Sequence, residues 1–329
     1  MSQLPSADSP DLGGTQWAPL HYALLFVITI SFYLTILLDL AGTWSWIAVT
    51  LALGAVALAA TERTTRILAV YPLVFLFYVA GRRLADDGFA PVRVEYVISA
   101  DRVLGLGEVP TVWLQHAMAG VLAGWAPVLV AIYVSFFFVF VASAPFLYWR
   151  DRSGAERMLA AGVLVFVIGL PIHWALPTAP PWMASLEGYI EPVGRLLHDG
   201  WLGEQTTVYE LGNSASGNDV SAMPSYHMAL TVLVALAWGR SGSVRAAIGW
   251  AYVALMGFAL VYGAEHYVVD LLVGGAVAAV AWRYAPGLLA RLGSTQAPVG
   301  GVLETDRGRN KTVPEAGNDL LLAETSPGR

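Results

Sequence analysis

The chain has 329 residues, 57% of them hydrophobic and 13% charged, with a formal net charge of −6. That composition is one of an integral membrane protein with a single polytopic domain, and the acidic balance argues against nucleic acid as a partner. Cysteine is absent, which excludes disulfides and thiolate chemistry, and Lys311 is the single lysine.

Residues 1–17 are polar and carry no Lys or Arg. They lack the basic start of a signal peptide and read as a flexible arm. Apolar runs follow at 20–40, 44–60 and 67–80, the last two separated by the polar turn 61–66. About 20 apolar residues suffice to cross a bilayer. His21 reads as an interfacial residue, and Asp39 lies where it can reach water. Residues 81–117 change character. They open on Gly81-Arg82-Arg83, alternate weakly from Val92 to Ile98, turn at Gly105 to Pro110 and end in a short amphipathic piece. This is a partly helical loop on the interface, either a solvated connector or a lid whose Arg82, Arg83, Arg93 or Arg102 meets phosphate. His116 reads as structural.

A fourth run, 121–148, is stopped by Arg150-Asp151-Arg152, and a fifth covers 158–176 with His173 as a boundary residue near its end. Residues 177–223 form the second long loop. Pro180-Pro181-Trp182 is rigid and amphipathic and suits the interface. An interfacial helix is expected over 186–202, carrying Arg195 and His198, then a polar linker over 213–219. Three more runs follow at 226–238, 244–262 and 267–284, with Gly274 and Gly275 allowing close helix approach in the last. Residues 294–329 are polar and read as a disordered tail. The expectation is an all-α integral membrane protein of about eight transmembrane helices, with its catalytic domain at 18–293.

Eight spans put both termini on one side. Arg63, Arg66, Arg150, Arg152, Arg157, Arg240 and Arg245 lie in the short loops of that side. Arg82, Arg83, Arg93, Arg102 and Arg195 lie in the two long loops opposite. The positive-inside rule then places both termini in the cytoplasm and the long loops outside.

Two polar clusters, 222–227 and 265–270, flank apolar runs that lead away and back, so both reach the extracytoplasmic face. Pro224 is tolerated at a helix start, and Ser225 is placed to meet free backbone N–H groups there. A helix N-terminus also favours an anion such as phosphate. His266 and Asp270 are four apart and share one helical face, where a carboxylate holds an imidazole in one tautomer and stabilises its cation. With His227 nearby, the set suits nucleophilic attack on phosphorus assisted by a general acid. Two His and one Asp also match a facial-triad metal site, and a histidine at a membrane boundary is often only amphipathic. An Asp one turn inside an apolar helix is costly to bury and marks function.

Pro224-Ser225-Tyr226-His227 resembles the Pro-Ser-x-His signature of the type-2 phosphatidic acid phosphatase superfamily. His266-Tyr267-Val268-Val269-Asp270 resembles its His-x-x-x-Asp signature. Pro177-Thr178-Ala179-Pro180-Pro181-Trp182 resembles the Pro-rich first signature of the branch that holds the inositol phosphorylceramide synthases and their prokaryotic relatives. The trio covers about 176–275, and the surrounding helices extend the likeness over most of the chain. The resemblance implies a six-helix core with two N-terminal helices added. It implies that His266 takes the phosphoryl group, Asp270 orients it, His227 protonates the leaving oxygen and Ser225 bonds a phosphate oxygen, without a metal or other cofactor. Pro180, Pro181, Trp182, Tyr267, Arg102 and Arg195 complete the candidate substrate site. The phosphatases of the superfamily carry basic residues in the first signature and six residues before the nucleophile. Here the latter position is Leu260, and Trp182 ends the Pro-rich segment. Those departures favour transfer over hydrolysis.

The expected substrate is a phospholipid or polyprenyl phosphate, with an alcohol, polyol or water as acceptor. A lipid phosphatase is the first alternative. A non-catalytic lipid-binding or transport protein, and a metal-dependent hydrolase, are the others.

Overall fold

The computed structural model describes residues 43–60, 62–83, 90–118, 123–197, 220 and 222–293. Every described regular element is helical, and the one bridge of extended backbone joins Arg93 to Thr178. The helices are α1 (Thr43–Ala59), α2 (Arg63–Arg83), α3 (Glu95–Leu104), α4 (Pro110–Ala117), α5 (Ala126–Tyr148), α6 (Arg152–Ala175), α7 (Pro181–Leu186), α8 (Tyr226–Gly239), α9 (Ser243–Tyr262) and α10 (Val268–Gly293).

Among them α2, α6, α9 and α10 are long and apolar enough to cross a membrane. α5 is a fifth if its two arms, which meet at 55°, count as one span. α8 is apolar but has 14 residues, about 21 Å at 1.5 Å per residue, against a hydrocarbon core of about 30 Å. The protein is thus a multi-pass membrane protein with four to five full-length spans among the described residues. The expected first span, the 213–219 linker, the N-terminal arm and the C-terminal tail lie outside the described residues.

Small residues let the helices close up. α6 lies centrally against α2, α5, α8 and α10. Gly162 on α6 faces the rings of Tyr71 and Phe140, and a Cβ there would stand 2.7 and 2.8 Å from them. Around that contact Tyr71, Phe75, Tyr78, Phe140 and Phe166 form an aromatic core of stacked, tilted and edge-on ring pairs. In a bilayer such packing, rather than hydrophobic exclusion, holds helices together.

The two ends of the bundle differ. At one end arginines clamp the helices. Glu156, almost wholly buried on α6, accepts from Arg63 and Thr64 on α2 and from Arg152 one turn away. Arg157 donates to the Trp282 carbonyl at 3.0 Å and lies 4.4 Å over its ring. Asp151 caps α6 through the Gly154 N–H and pairs with Arg240 at 2.7 Å. At the other end the described parts of the two long loops pack on the helix termini. Thr178 is their junction. Its N–H donates to Val220, its carbonyl accepts from Ala222, and its hydroxyl meets that of Tyr96 at 2.6 Å. Beneath it Val94, Val97, Ile98, Val112, Ala179, Ala184, Met223 and Tyr267 form a second apolar core.

The expected helix over 186–202 is corrected over 187–195; residues 196 and 197 are helical, and 198–202, with His198, lie outside the described residues. Residues 187–195 run as turns and irregular chain, and the helix lies earlier, at α7. Pro181 starts α7 at the position where a missing N–H costs nothing. Gly188, with φ of +80°, and Pro192 end the helical path.

Candidate active site

The site lies where α8 and α10 begin. Ser225 caps α8, its hydroxyl accepting the Met228 N–H at 3.3 Å. Its own N–H donates to the Asp270 carbonyl at 3.2 Å, which ties the two helix starts together. Gly274, one turn further along α10, makes that approach possible, since a Cβ there would stand 2.3 Å from the Ser225 carbonyl oxygen. The second and third signatures are joined backbone to backbone.

The turn from α9 into α10 presents His266. Ala264 adopts a left-handed conformation, φ +62°, that reverses the chain. The N–H groups of Glu265 and His266 then both donate to the Leu260 carbonyl, closing the end of α9. His266 is buried, and its Nδ1 stands 3.5 Å from Asp270 Oδ2. The same carboxylate oxygen accepts the Tyr267 N–H at 2.9 Å, so the acid is held by its own turn. With Nδ1 facing Asp270, Nε2 is the nitrogen left for chemistry. His227, half-buried on the first turn of α8, meets His266 edge to face with ring centroids 5.7 Å apart. Tyr133 and Phe136 of α5 pack on its other side at 4.6 and 4.0 Å. Ser225, His227, His266 and Asp270 are therefore gathered at one point.

The remaining candidates divide. Trp182 lies beside the site, its N–H donating to the Ala264 carbonyl at 3.1 Å. Arg195 lies 4.2 Å over the Trp182 ring and pairs with Glu265 at 2.9 Å, so it straps the first signature to the residue preceding His266. Pro180 and Pro181 form the start of α7 beneath that strap. Tyr267 is fully buried, and burial first and the Asp270 charge second push its phenol pKa up. It is a packing residue of the loop core. Arg102 is exposed, whereas its neighbour Asp101 is buried.

Three residues gain importance in the structure. Arg82, in the last turn of α2, bonds the Tyr78 hydroxyl and lies close enough to act electrostatically on His227, His173 and Tyr226. His173, read as a boundary residue, is fully buried and lies 5.0 Å from the Tyr226 ring. Asp101 is fully buried and accepts the Val269 N–H at 3.1 Å. Nothing in its local sequence separates it from a solvated acid on an interfacial helix. Among the described residues no group of three His, Asp or Glu side chains is placed to hold a metal ion.

A family model described as the PAP2 superfamily matches residues 95–284, a stretch that contains α3 to α9, most of α10 and Ser225, His227, His266 and Asp270. The chain belongs to the PAP2 superfamily. Within it the chain is similar to synthases of phosphoinositol-bearing ceramides. It is 27% identical over 186 residues to phosphoinositol dihydroceramide synthase of Bacteroides thetaiotaomicron, covering 51% of this chain and 56% of that protein. It is 24% identical over 299 residues to the inositol phosphorylceramide synthase catalytic subunit of Schizosaccharomyces pombe, covering 84% of this chain and 67% of that one. The chain thus spans little more than half the length of the bacterial relative and about two thirds of the yeast one. No solved structure matches it.

Proposed function

We propose that the protein is a membrane phosphotransferase that moves a phosphoryl-linked head group from a lipid donor to an alcohol through a phosphohistidine on His266. The observation that carries this reading is the edge-to-face meeting of His227 and His266, with Asp270 behind the latter. Nε2 of His266 attacks phosphorus, forming the N–P bond as the P–O bond to the leaving group breaks. His227 gives its proton to the departing oxygen. Asp270 stabilises the imidazolium that develops. The acceptor hydroxyl then attacks phosphorus, its proton passes to His227, and the N–P bond breaks. Ser225 and the first N–H groups of α8 bond phosphate oxygens, and Arg82 supplies the positive charge.

The relatives' names favour a polyol phosphate as the transferred group and a ceramide-like lipid alcohol as the acceptor. The arginine clamps lie at the end of the bundle away from the site. By the positive-inside rule this supports cytoplasmic termini and an extracytoplasmic site. Water as acceptor would make the same machinery a lipid phosphatase.

The test uses purified protein in lipid with a phospholipid donor labelled on phosphorus, with and without alcohol acceptors. Label should move to a new product only when an acceptor is present. His266→Ala should abolish transfer while leaving the melting temperature near that of the parent. Equal release of free phosphate with and without every acceptor would make the enzyme a phosphatase, and turnover surviving in His266→Ala would end the phosphohistidine mechanism.

A further inference from the structure

In its own first turn α10 offers Asp270 to the Tyr267 N–H, which leaves the Val268 and Val269 N–H groups to other partners. The position before Val268 is Tyr267, whose side chain cannot accept from the free N–H groups of a first turn. Asp101 does so from α3. Its Oδ1 takes the Val269 N–H at 3.1 Å across 168 residues of chain, and the Val268 N–H also contributes. Its Oδ2 is buried and makes no hydrogen bond. A buried carboxylate is costly, and the positive end of a helix dipole is the kind of partner that offsets the cost. The turn it holds is the one that carries Asp270, whose Oδ2 stands 3.5 Å from His266 Nδ1. That separation exceeds a hydrogen bond, so a small drift of the turn decides whether the pair engages.

We propose that Asp101 is a positioning residue for the transfer reaction, holding the first turn of α10 where Asp270 meets His266. This rests on the reading of His266 as nucleophile. Asp101 touches no reacting atom and acts through the helix. Burial, and next the Asp270 charge, push its carboxyl up to about 6, against the pull of the Val269 and Val268 N–H groups. Above that pH the cap is charge-assisted, and below it the cap is that of a neutral acid and weaker. Activity that depends on the turn therefore rises as pH increases through about 6. The titratable groups that act on Asp101 are Asp270 and Tyr267, from α10 and its preceding turn, while Glu95, Tyr96 and Arg102 share its own helix. His116 of the neighbouring α4 is exposed and faces Glu191.

The test compares Asp101→Asn, which keeps an acceptor and loses the charge, with Asp101→Ala, which loses both, in the full chain in lipid. Amide exchange of the 265–273 segment reads the cap directly, and kcat against pH reads its consequence. In Asp101→Ala, exchange at Val268 and Val269 should quicken by about 10-fold, the value of one helix cap. Its kcat should fall ~10- to 100-fold with KM within about threefold, as for a displaced catalytic pair. In Asp101→Asn, exchange above pH 6 should lie between that of the parent and that of Asp101→Ala, and the rise in kcat through pH 6 should vanish. Unchanged exchange in Asp101→Ala overturns the cap. Faster exchange with parental kcat and pH profile leaves a purely structural residue and overturns the proposal. If Asp101→Ala does not fold, persistence of the pH 6 rise in Asp101→Asn overturns it equally. If the parent turns over no donor, the nucleophile reading fails by itself, and the exchange result still decides whether Asp101 holds the turn.

Discussion

Gly274→Ala tests the central contact of the site with one methyl group. The added Cβ would stand 2.3 Å from the Ser225 carbonyl oxygen, where ordinary contact begins near 3.4 Å. Both partners are backbone, so no rotamer change relieves the clash, and α8 and α10 must part by about 1 Å. The Ser225 N–H bond to the Asp270 carbonyl weakens as they part, and His227 moves away from His266. Overpacking of this kind costs about 1–3 kcal/mol, against which alanine returns roughly 0.5–1 kcal/mol of helix propensity. A 1 Å displacement of catalytic groups costs on the order of 10²-fold in rate. Gly275→Ala is the internal control, because a Cβ there meets nothing within 4 Å. It should be neutral or slightly stabilising, with parental turnover. The assay is label transfer per folded molecule, alongside melting in detergent. Equal behaviour of the two variants would refute the reasoning that Ser225 rests directly on Gly274.

Glu156→Ala removes the acceptor shared by Arg63, Arg152 and Thr64 at the far end of the bundle and should cost about 1–3 kcal/mol in unfolding, since both arginines stay half exposed and Arg152 keeps Glu62, with turnover of the folded fraction unchanged. Asp151 pairs first with Arg240, which holds its carboxyl down to about 2. Its folded pKa is below the ordinary value, so its contribution is present above about pH 4 and is lost as pH falls through 2. Arg240→Gln should remove that acid-side loss from the unfolding profile and cost at most ~1 kcal/mol at neutral pH, since the pair is partly exposed. Glu265→Gln loosens Arg195 and the strap to Trp182 and should raise KM for the donor several-fold with a smaller change in kcat. A kcat loss like that of His266→Ala would instead place Glu265 in the chemistry.

Much of this protein follows from its sequence by periodicity and solvent alone. Long apolar runs must satisfy their backbone internally, so helices at the expected places were dictated before any packing was known. The spacing of His266 and Asp270 puts both on one face whatever surrounds them, and Pro224 with Ser225 marks a helix start by local chemistry. Residues 187–195 hold Gly188, Pro192 and Gly194, breakers that spoke locally against the expected helix and that turn the chain aside. His173 and Arg82 sit at ends of apolar runs, a place equally open to water and to the interior, and sequence distance does not say which. Asp101 is the plainest case. Its neighbours in sequence describe a wet amphipathic turn, and its partner is the N–H of Val269, 168 residues away. Local forces determined where helices form and which side chains share a face. Only tertiary packing decided which acid is buried and which helix start it caps, because those outcomes depend on contacts between segments whose separation along the chain carries no signal.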